Sequence, residues 1–167
     1  MISGKDCSDS NLITFDDITI ESLAEIPSDY IGVQWNNFHV MNLTAYPHYN
    51  TSGFYTALRS GYIAFNKNGL TMTISANPPN VFNLYSFVAA SGSQNQLRLT
   101  MIGQRLSKQL YAATYPLYTK WQQLIELNYL NIDTITLSTD GSSEFAMDNL
   151  CISTSSLTTT TTSTTET

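Results

Sequence analysis

The chain has 167 residues, of which 42% are hydrophobic and 12% are charged. This length and apolar content suffice for one domain with a packed core. Its 13 acidic and 7 basic residues give a formal charge of −6, which argues against nucleic acid as a partner because phosphates need a basic footprint. No apolar run approaches the length of roughly 18 residues that a transmembrane helix needs, so we expect no membrane insertion.

Short apolar runs in which every second residue is hydrophobic dominate the chain. They lie at residues 13–15, 18–20, 70–74, 97–101, 125–129, 135–137 and 145–147. Turn-forming residues separate them at 68–69, 77–80, 91–93 and 140–141. Trp121, Leu124 and Ile125 also have helical spacing, but we assign this segment to a strand. Many short strands at such spacing predict an all-β fold, an antiparallel β-sandwich or jelly roll.

Two similar acidic motifs stand near the two ends of the predicted domain, Phe15-Asp16-Asp17-Ile18 and Met147-Asp148-Asn149-Leu150. The hydrophobic alternation changes phase at each acidic pair, which predicts a β-bulge there. Carboxylates and freed carbonyls are the oxygen ligands that Ca²⁺ prefers. We therefore expect a structural calcium site at Asp17 and Asp148, with Asp16 as a further ligand. The alternative is that these acids end strands and face solvent.

The two cysteines, Cys7 and Cys151, stand at opposite ends of the domain. In an oxidising compartment the simplest interpretation is one disulfide, and the alternative is two unrelated thiols. If the cysteines faced each other in one straight antiparallel ladder, Asp148 would lie opposite Ser10 and not Asp17. Either Cys7 belongs to a segment that folds back, or one of the two pairings is wrong.

The chain resembles a secreted jelly-roll module, similar to galactose-binding-like and carbohydrate-binding modules. The residues that carry the resemblance are the two acidic motifs, a segment Tyr30-x-Gly32-x-x-Trp35-x-Asn37-Phe38, and Ser60-Gly61-x-x-Ala64-x-Asn66. It covers about residues 12–152. The resemblance implies a β-sandwich, often with calcium near the termini and usually without catalysis.

Aromatic and amide side chains alternate between Tyr30 and Tyr55, a combination that suits sugars. The C–H faces of a sugar stack on rings, and amides bind its hydroxyls. The candidate ligand-binding residues are Trp35, Asn37, Tyr46, Tyr49 and, on a second predicted loop, Trp121. Core packing is the alternative for both tryptophans. A weakly charged surface fits a neutral polysaccharide or glycan as the partner.

The sequence offers little for catalysis. His39 and His48 lie nine positions apart with no metal-ligand spacing around them, and no Gly-x-Ser-x-Gly motif is present. A glycosidase needs two carboxylates across a cleft, and the acids are few. Glu126 alternates with Ile125 and Leu127, so it can project from a sheet face into a groove, where a lone carboxylate more often binds a hydroxyl or solvent.

Other features indicate an extracellular protein. Asn42-Leu43-Thr44 and Asn50-Thr51-Ser52 are N-glycosylation sequons, and residues 153–167 are almost entirely Ser and Thr, typical of a disordered linker or stalk. We place the β-sandwich domain at residues 1–152. Residues 1–9 are polar and hold no signal peptide, so we expect a signal that is absent from this sequence.

The expected function is therefore that of a non-catalytic, extracellular carbohydrate-binding module. The alternative is a structural or adhesive cell-surface protein that contacts other proteins or assembles with itself and has no sugar site.

Overall fold

The computed structural model describes residues 7–8 and 11–155. The described part contains twelve β-strands, one short helix and several 3₁₀ turns. The strands are β1 (Leu12–Ile13), β2 (Leu23–Glu25), β3 (Gln34–Asn36), β4 (His39–Asn42), β5 (Tyr62–Phe65), β6 (Met72–Ser75), β7 (Val81–Ser91), β8 (Leu97–Arg105), β9 (Lys108–Leu117), β10 (Gln123–Ile132), β11 (Thr134–Thr139) and β12 (Phe145–Ser155); the helix is α1 (Gly53–Ala57).

The strands form two antiparallel sheets. One has seven strands in the order β10-β7-β12-β5-β4-β2, with β1 paired to β12, and the other has five in the order β3-β6-β11-β8-β9. Between them lies the main hydrophobic core, which Phe15, Trp35, Phe87 and Phe145 help to fill. Strands β6, β8 and β11 bury one face in this core, which explains their alternation of apolar and polar residues. The predicted all-β antiparallel sandwich is confirmed.

A second, smaller core lies on the outer face of the seven-stranded sheet. The segment that carries α1 packs Leu43, Phe54 and Ala57 against Ile63 and Ala146 of that face. Strands beneath this segment are therefore covered on both sides, and β5 is buried at every position. Such strands read as continuous apolar runs without alternation.

The structure confirms most of the predicted strands and corrects one. The alternating runs from Met72 onward all lie in strands, including the segment around Ile125, which belongs to β10, whereas Leu70 at the start of the first of these runs precedes β6 and is exposed. The run at residues 18–20 does not, since β1 ends at Ile13 and Ile20 is fully exposed. Phe15 has a φ of 64° and its ring is buried. The chain thus turns at the first acidic motif and does not continue as a bulged strand.

At the second acidic motif the predicted bulge is present. The register of β12 against β7 shifts between Asp148 and Cys151, and Asn149 has a φ of 51°. The shift lets Met147 and Leu150 both enter the main core although they lie three positions apart. A bulge of this kind changes which face a side chain points to.

The predicted disulfide is present and joins Cys7 to Cys151 across 144 positions of sequence. Cys151 lies opposite Leu12 in the ladder between β1 and β12. Cys7 therefore reaches its partner from a segment that precedes β1 and folds back, which is one of the two outcomes that the predicted register left open.

The last strand extends three residues beyond Ile152, the predicted end of the domain. Strand β12 continues to Ser155, with Ser153 opposite Asn83 and Ser155 opposite Val81. The remainder of the predicted stalk lies outside the described residues. Within residues 7–8 and 11–155, no helix has the length and apolar character needed to span a bilayer.

Replacing both cysteines, in the variant Cys7→Ser/Cys151→Ser, should lower the free energy of unfolding by about 4–5 kcal/mol, because the open chain gains entropy in the unfolded state. Urea denaturation of the oxidised wild type and the variant measures the difference. Equal unfolding free energies would contradict a stabilising role for this disulfide.

Candidate functional site

The exposed aromatic pair Trp121 and Tyr118 lies on the loop between β9 and β10. Trp121 is 56% exposed, and its ring stands 4.6 Å from that of Tyr118 at an angle of 30°. Most large aromatic side chains of this protein are buried. An exposed indole supported by a second ring is the arrangement on which a sugar ring stacks.

Hydrogen bonds hold this loop in place at several points. The Tyr118 carbonyl accepts from the Ser91 amide at 3.0 Å. Thr119 donates to Asn95 Oδ1 through its amide at 3.2 Å and through its hydroxyl at 2.9 Å, and its carbonyl accepts from the Thr56 hydroxyl at 2.7 Å. The rings are thus presented by a fixed loop, which lowers the entropy lost when a ligand binds.

A shallow groove of ≈ 470 Å³ begins at Tyr118 and runs over the outer face of β8 and β9. Gln96, Arg98, Thr114 and Pro116 line it together with that ring. Arg98 lies opposite Pro116 across the two strands. The groove therefore combines an aromatic edge with amide, guanidinium and hydroxyl groups that can bind sugar hydroxyls.

Two of the predicted ligand-binding residues are structural. Trp35 is only 6% exposed and packs against Phe38 at 4.9 Å, and its indole N–H donates to the Tyr30 carbonyl at 2.8 Å. Asn37 donates to the Thr71 carbonyl at 2.8 Å and has a φ of 61°. A ligand contact at Trp35 is thus corrected to core packing, the alternative that its sequence context left open.

Tyr46 and Tyr49 are half-buried and pack against the second core. Their rings form a chain with His48 and Phe54, in which His48 stands 4.2 Å from Tyr49 and Tyr49 stands 5.2 Å from Phe54. Both tyrosines lie between the two sequons, at Asn42 and Asn50. The rings are partly available to a ligand. Among the described residues no ring contact joins them to Trp121, although the hydrogen bond from Thr56 to Thr119 links α1 to the Trp121 loop.

The predicted metal ligands instead hold the chain at residues 59–62. The buried Asp148 Oδ2 accepts hydrogen bonds from the amides of Arg59 at 2.7 Å and Ser60 at 3.1 Å. Asp16 Oδ1 accepts from the next two amides, Gly61 and Tyr62, both at 2.9 Å. The two acidic motifs therefore satisfy four consecutive backbone donors just before and at the start of β5.

The third acid, Asp17, accepts from the Tyr30 hydroxyl at 2.7 Å and stands at the surface. Burial and this hydrogen bond raise the pKa of Tyr30 well above its usual value. Asp17 is thus directed at a phenol and not at the residues that Asp16 and Asp148 hold.

This arrangement does not fit a calcium ion. A cation would face the same oxygens that the four amides already approach, and like polarity would oppose it. In the described part of the chain, no three or more His, Cys, Asp or Glu side chains gather closely enough to hold a metal. Backbone donors account for the predicted calcium ligands Asp16 and Asp148, and the chelation experiment below tests whether an ion binds.

Burial controls the protonation of Asp148. Removal from water raises its pKa to about 6, against the opposing effect of hydrogen bonds from Arg59, Asn149 and Ser60. The folded pKa therefore lies above the unfolded value of about 4. The contribution of this carboxyl to stability is full below about pH 4 and is lost as the pH rises through the folded pKa.

Sequence reasoning found Trp121 but missed the groove beside it. Thr114 and Pro116 belong to β9, in which apolar residues such as Leu110 and Ala112 also stand on the outer face and obscure the alternation. Arg98 alternates with Leu97 and Leu99 and could have been identified from that pattern as an outward-facing side chain.

Comparison with known proteins gives no match to a protein-family model and none to a curated protein sequence. Among solved structures, TmCBM61 in complex with β-1,4-galactotriose is similar with a TM-score of 0.45 and 8% identity, over 90% of this chain and 99% of its own. A CBM4 structure has a TM-score of 0.41 and 14% identity, over 85% and 97%. The enzymatically active domain of tailspike protein 4 of bacteriophage CBA120 has a TM-score of 0.30 and 10% identity, over 74% of this chain and 18% of its own. Two of the three are carbohydrate-binding modules by name, and similarities this low carry no information on the function or the ligand of this chain.

The titration of Asp148 predicts an unusual pH dependence. Between about pH 4.5 and pH 7 the free energy of unfolding should fall by up to ~3 kcal/mol from this group, because the folded state must ionise a buried carboxyl. Urea denaturation across that range measures it. The exposed control Glu21→Gln should keep the slope and Asp148→Asn should remove it, whereas a wild type whose stability rises toward pH 7 would contradict the assignment.

Chelation should leave the fold unchanged. Because backbone amides already bind Asp16 Oδ1 and both oxygens of Asp148, the melting temperature in EDTA should equal that in millimolar calcium. Differential scanning calorimetry in the two buffers checks this, and a lower melting temperature in EDTA that calcium restores would show that a stabilising ion binds.

Proposed function

We propose that this protein is a non-catalytic, extracellular module that binds a neutral polysaccharide on the platform formed by Trp121, Tyr118 and the adjoining groove. The exposure of Trp121 is the observation that carries the proposal. Trp121 is 56% exposed on a loop that hydrogen bonds fix in place. Its indole therefore lacks the hydrophobic stabilisation that burial in the core would provide. A ligand that covers the indole recovers that hydrophobic contribution.

The groove adds the polar part of the recognition. Gln96 and Thr114 supply both donors and acceptors, and Arg98 supplies a planar set of donors. Arg98 has no ion pair among the described residues, so its guanidinium is available to sugar hydroxyls. A linear chain of sugar units laid from Trp121 along β8 and β9 would meet ring and hydrogen-bonding groups in turn.

The same geometry supports a role without catalysis. None of the described residues that line the groove carries a carboxylate. Glycosidic hydrolysis commonly requires two such groups facing each other across the bond. The proposed site binds a chain and does not cleave it.

The extracellular location rests on the disulfide and the sequons. A disulfide between distant cysteines persists in oxidising compartments. Asn50 is exposed and Asn42 is half-buried at the end of β4, where its side-chain oxygen accepts from the Thr44 amide and hydroxyl. We propose that both asparagines carry glycans and that Asn50, the more accessible, is modified more completely.

Truncating the indole tests the proposal. Screening the wild type on an array of neutral glycans identifies the ligand, and Trp121→Ala should weaken binding to it by at least about tenfold, because a ring at the centre of an interface commonly contributes more than 1.4 kcal/mol. Isothermal titration calorimetry measures the change.

Tyr46→Ala is the control, since this half-buried ring belongs to the other aromatic group. The proposal expects its affinity to remain near that of the wild type. If Tyr46→Ala loses binding while Trp121→Ala keeps it, the site lies on the loop between the sequons. If the wild type binds no glycan at all, the proposed function is wrong and a protein-contacting surface protein becomes the better account.

A further inference from the structure

A second groove, separate from Trp121, lies on the outer face of the seven-stranded sheet. Its volume is ≈ 230 Å³, and its lining includes Tyr85 and Ser86 from β7, Glu126 and Asn128 from β10, and Asn11 beside the Cys7–Cys151 disulfide. Three neighbouring strands and the folded-back segment before β1 therefore build it.

Irregular strand pairing gives this groove its side chains. Ser86 lies opposite Glu126 on one side and opposite Cys151 on the other, so these three residues form a row across the sheet. The register shifts immediately afterwards in both pairings, and Asn128 has a φ of 52°. Leu84 and Phe87 both enter the core, which turns Tyr85 and Ser86 to the outer face together. Such bulges commonly redirect side chains at binding sites.

The lining combines an aromatic ring and a disulfide with several hydrogen-bonding groups, the composition typical of a small-ligand site. The Tyr85 hydroxyl is held by Ser153 at 3.2 Å and Asn83 at 3.3 Å, so its ring has a fixed position. The groove thus presents the fixed ring of Tyr85 together with the carboxylate of Glu126 and the amides of Asn11 and Asn128.

Charge selects among possible ligands. Glu126 is exposed at the groove and has no ion pair or hydrogen bond within the described part of the chain. No lysine, arginine or histidine stands among the described lining residues. The protein as a whole carries −6. An unpaired carboxylate in an acidic protein attracts a cation, and a charge-assisted hydrogen bond to an ammonium is stronger than one to a neutral hydroxyl.

We propose that this groove binds an amino sugar, with the protonated amine on Glu126, the hydroxyls on Ser86 and the two amides, and the ring against Tyr85. The small volume suits a single residue or the end of a chain better than an extended polysaccharide. The site does not depend on the Trp121 platform, and the disulfide provides one of its walls.

Three sugars of similar size distinguish the effect of the ligand's charge on affinity from the effect of its shape. Isothermal titration calorimetry of the wild type with glucosamine, N-acetylglucosamine and glucose should show glucosamine binding at least about tenfold more tightly than the two neutral sugars, because only it carries an ammonium. Equal affinity for all three, or binding of none, would overturn the proposal even if Trp121 binds polysaccharide.

Matched variants test whether Glu126 causes the preference for glucosamine. Glu126→Gln should abolish the preference for glucosamine, and Glu21→Gln, which changes an equally charged exposed side chain elsewhere, should keep it. Both glutamates are exposed, so circular dichroism melts should confirm folded variants. Trp121→Ala should bind glucosamine like the wild type, and Cys7→Ser/Cys151→Ser should bind it more weakly. A preference that survives in Glu126→Gln would place the amine elsewhere and overturn the assignment.

Discussion

Two carboxylates and four consecutive amides join the two ends of this domain to its middle. Asp16 follows the first strand and Asp148 lies in the last, and both accept hydrogen bonds from residues 59–62. Gly61 favours the close approach, since a Cβ there would stand 3.2 Å from Asp16 Oδ1 and the carboxylate would have to shift. Leaving these donors unpaired would cost about 1–3 kcal/mol for each buried group. This cluster fixes the start of β5 beside β12 and the turn after β1, and the disulfide adds a covalent link between β12 and the segment before β1.

The same cluster explains why the acidic motifs resemble a cation site in the sequence. A carboxylate needs positive partners whether they are a metal ion or a set of backbone N–H groups. The sequence shows the acids but not the donors, because the amides belong to a segment more than forty positions away from Asp16. Only the fold reveals which of the two partners is present.

Much of the fold could be predicted from local pattern, and the failures have physical causes. Strands β8 and β11 have one face in the core and one in solvent, so their alternation is clear. Strand β7 is buried on both faces from Phe87 to Ala90, where it has four apolar residues in succession and no alternation. The two tryptophans show the limit for the site. Both stand near tyrosines in the sequence, yet Trp35 is enclosed by Phe15 and Phe38 whereas Trp121 is held on a loop at the surface. The two side chains differ in exposure because of long-range packing, which the local sequence does not encode.

The two tryptophan indoles can be observed separately, which shows whether the exposed ring binds a glycan. In a ¹H–¹⁵N spectrum, titration with neutral oligosaccharides such as cellohexaose, xylohexaose and β-1,4-galactotriose should shift the indole N–H resonance of Trp121, assigned with Trp121→Phe. The Trp35 resonance should stay in place, because its N–H remains bonded to the Tyr30 carbonyl. A glycan that binds and leaves the Trp121 resonance unmoved would contradict the account.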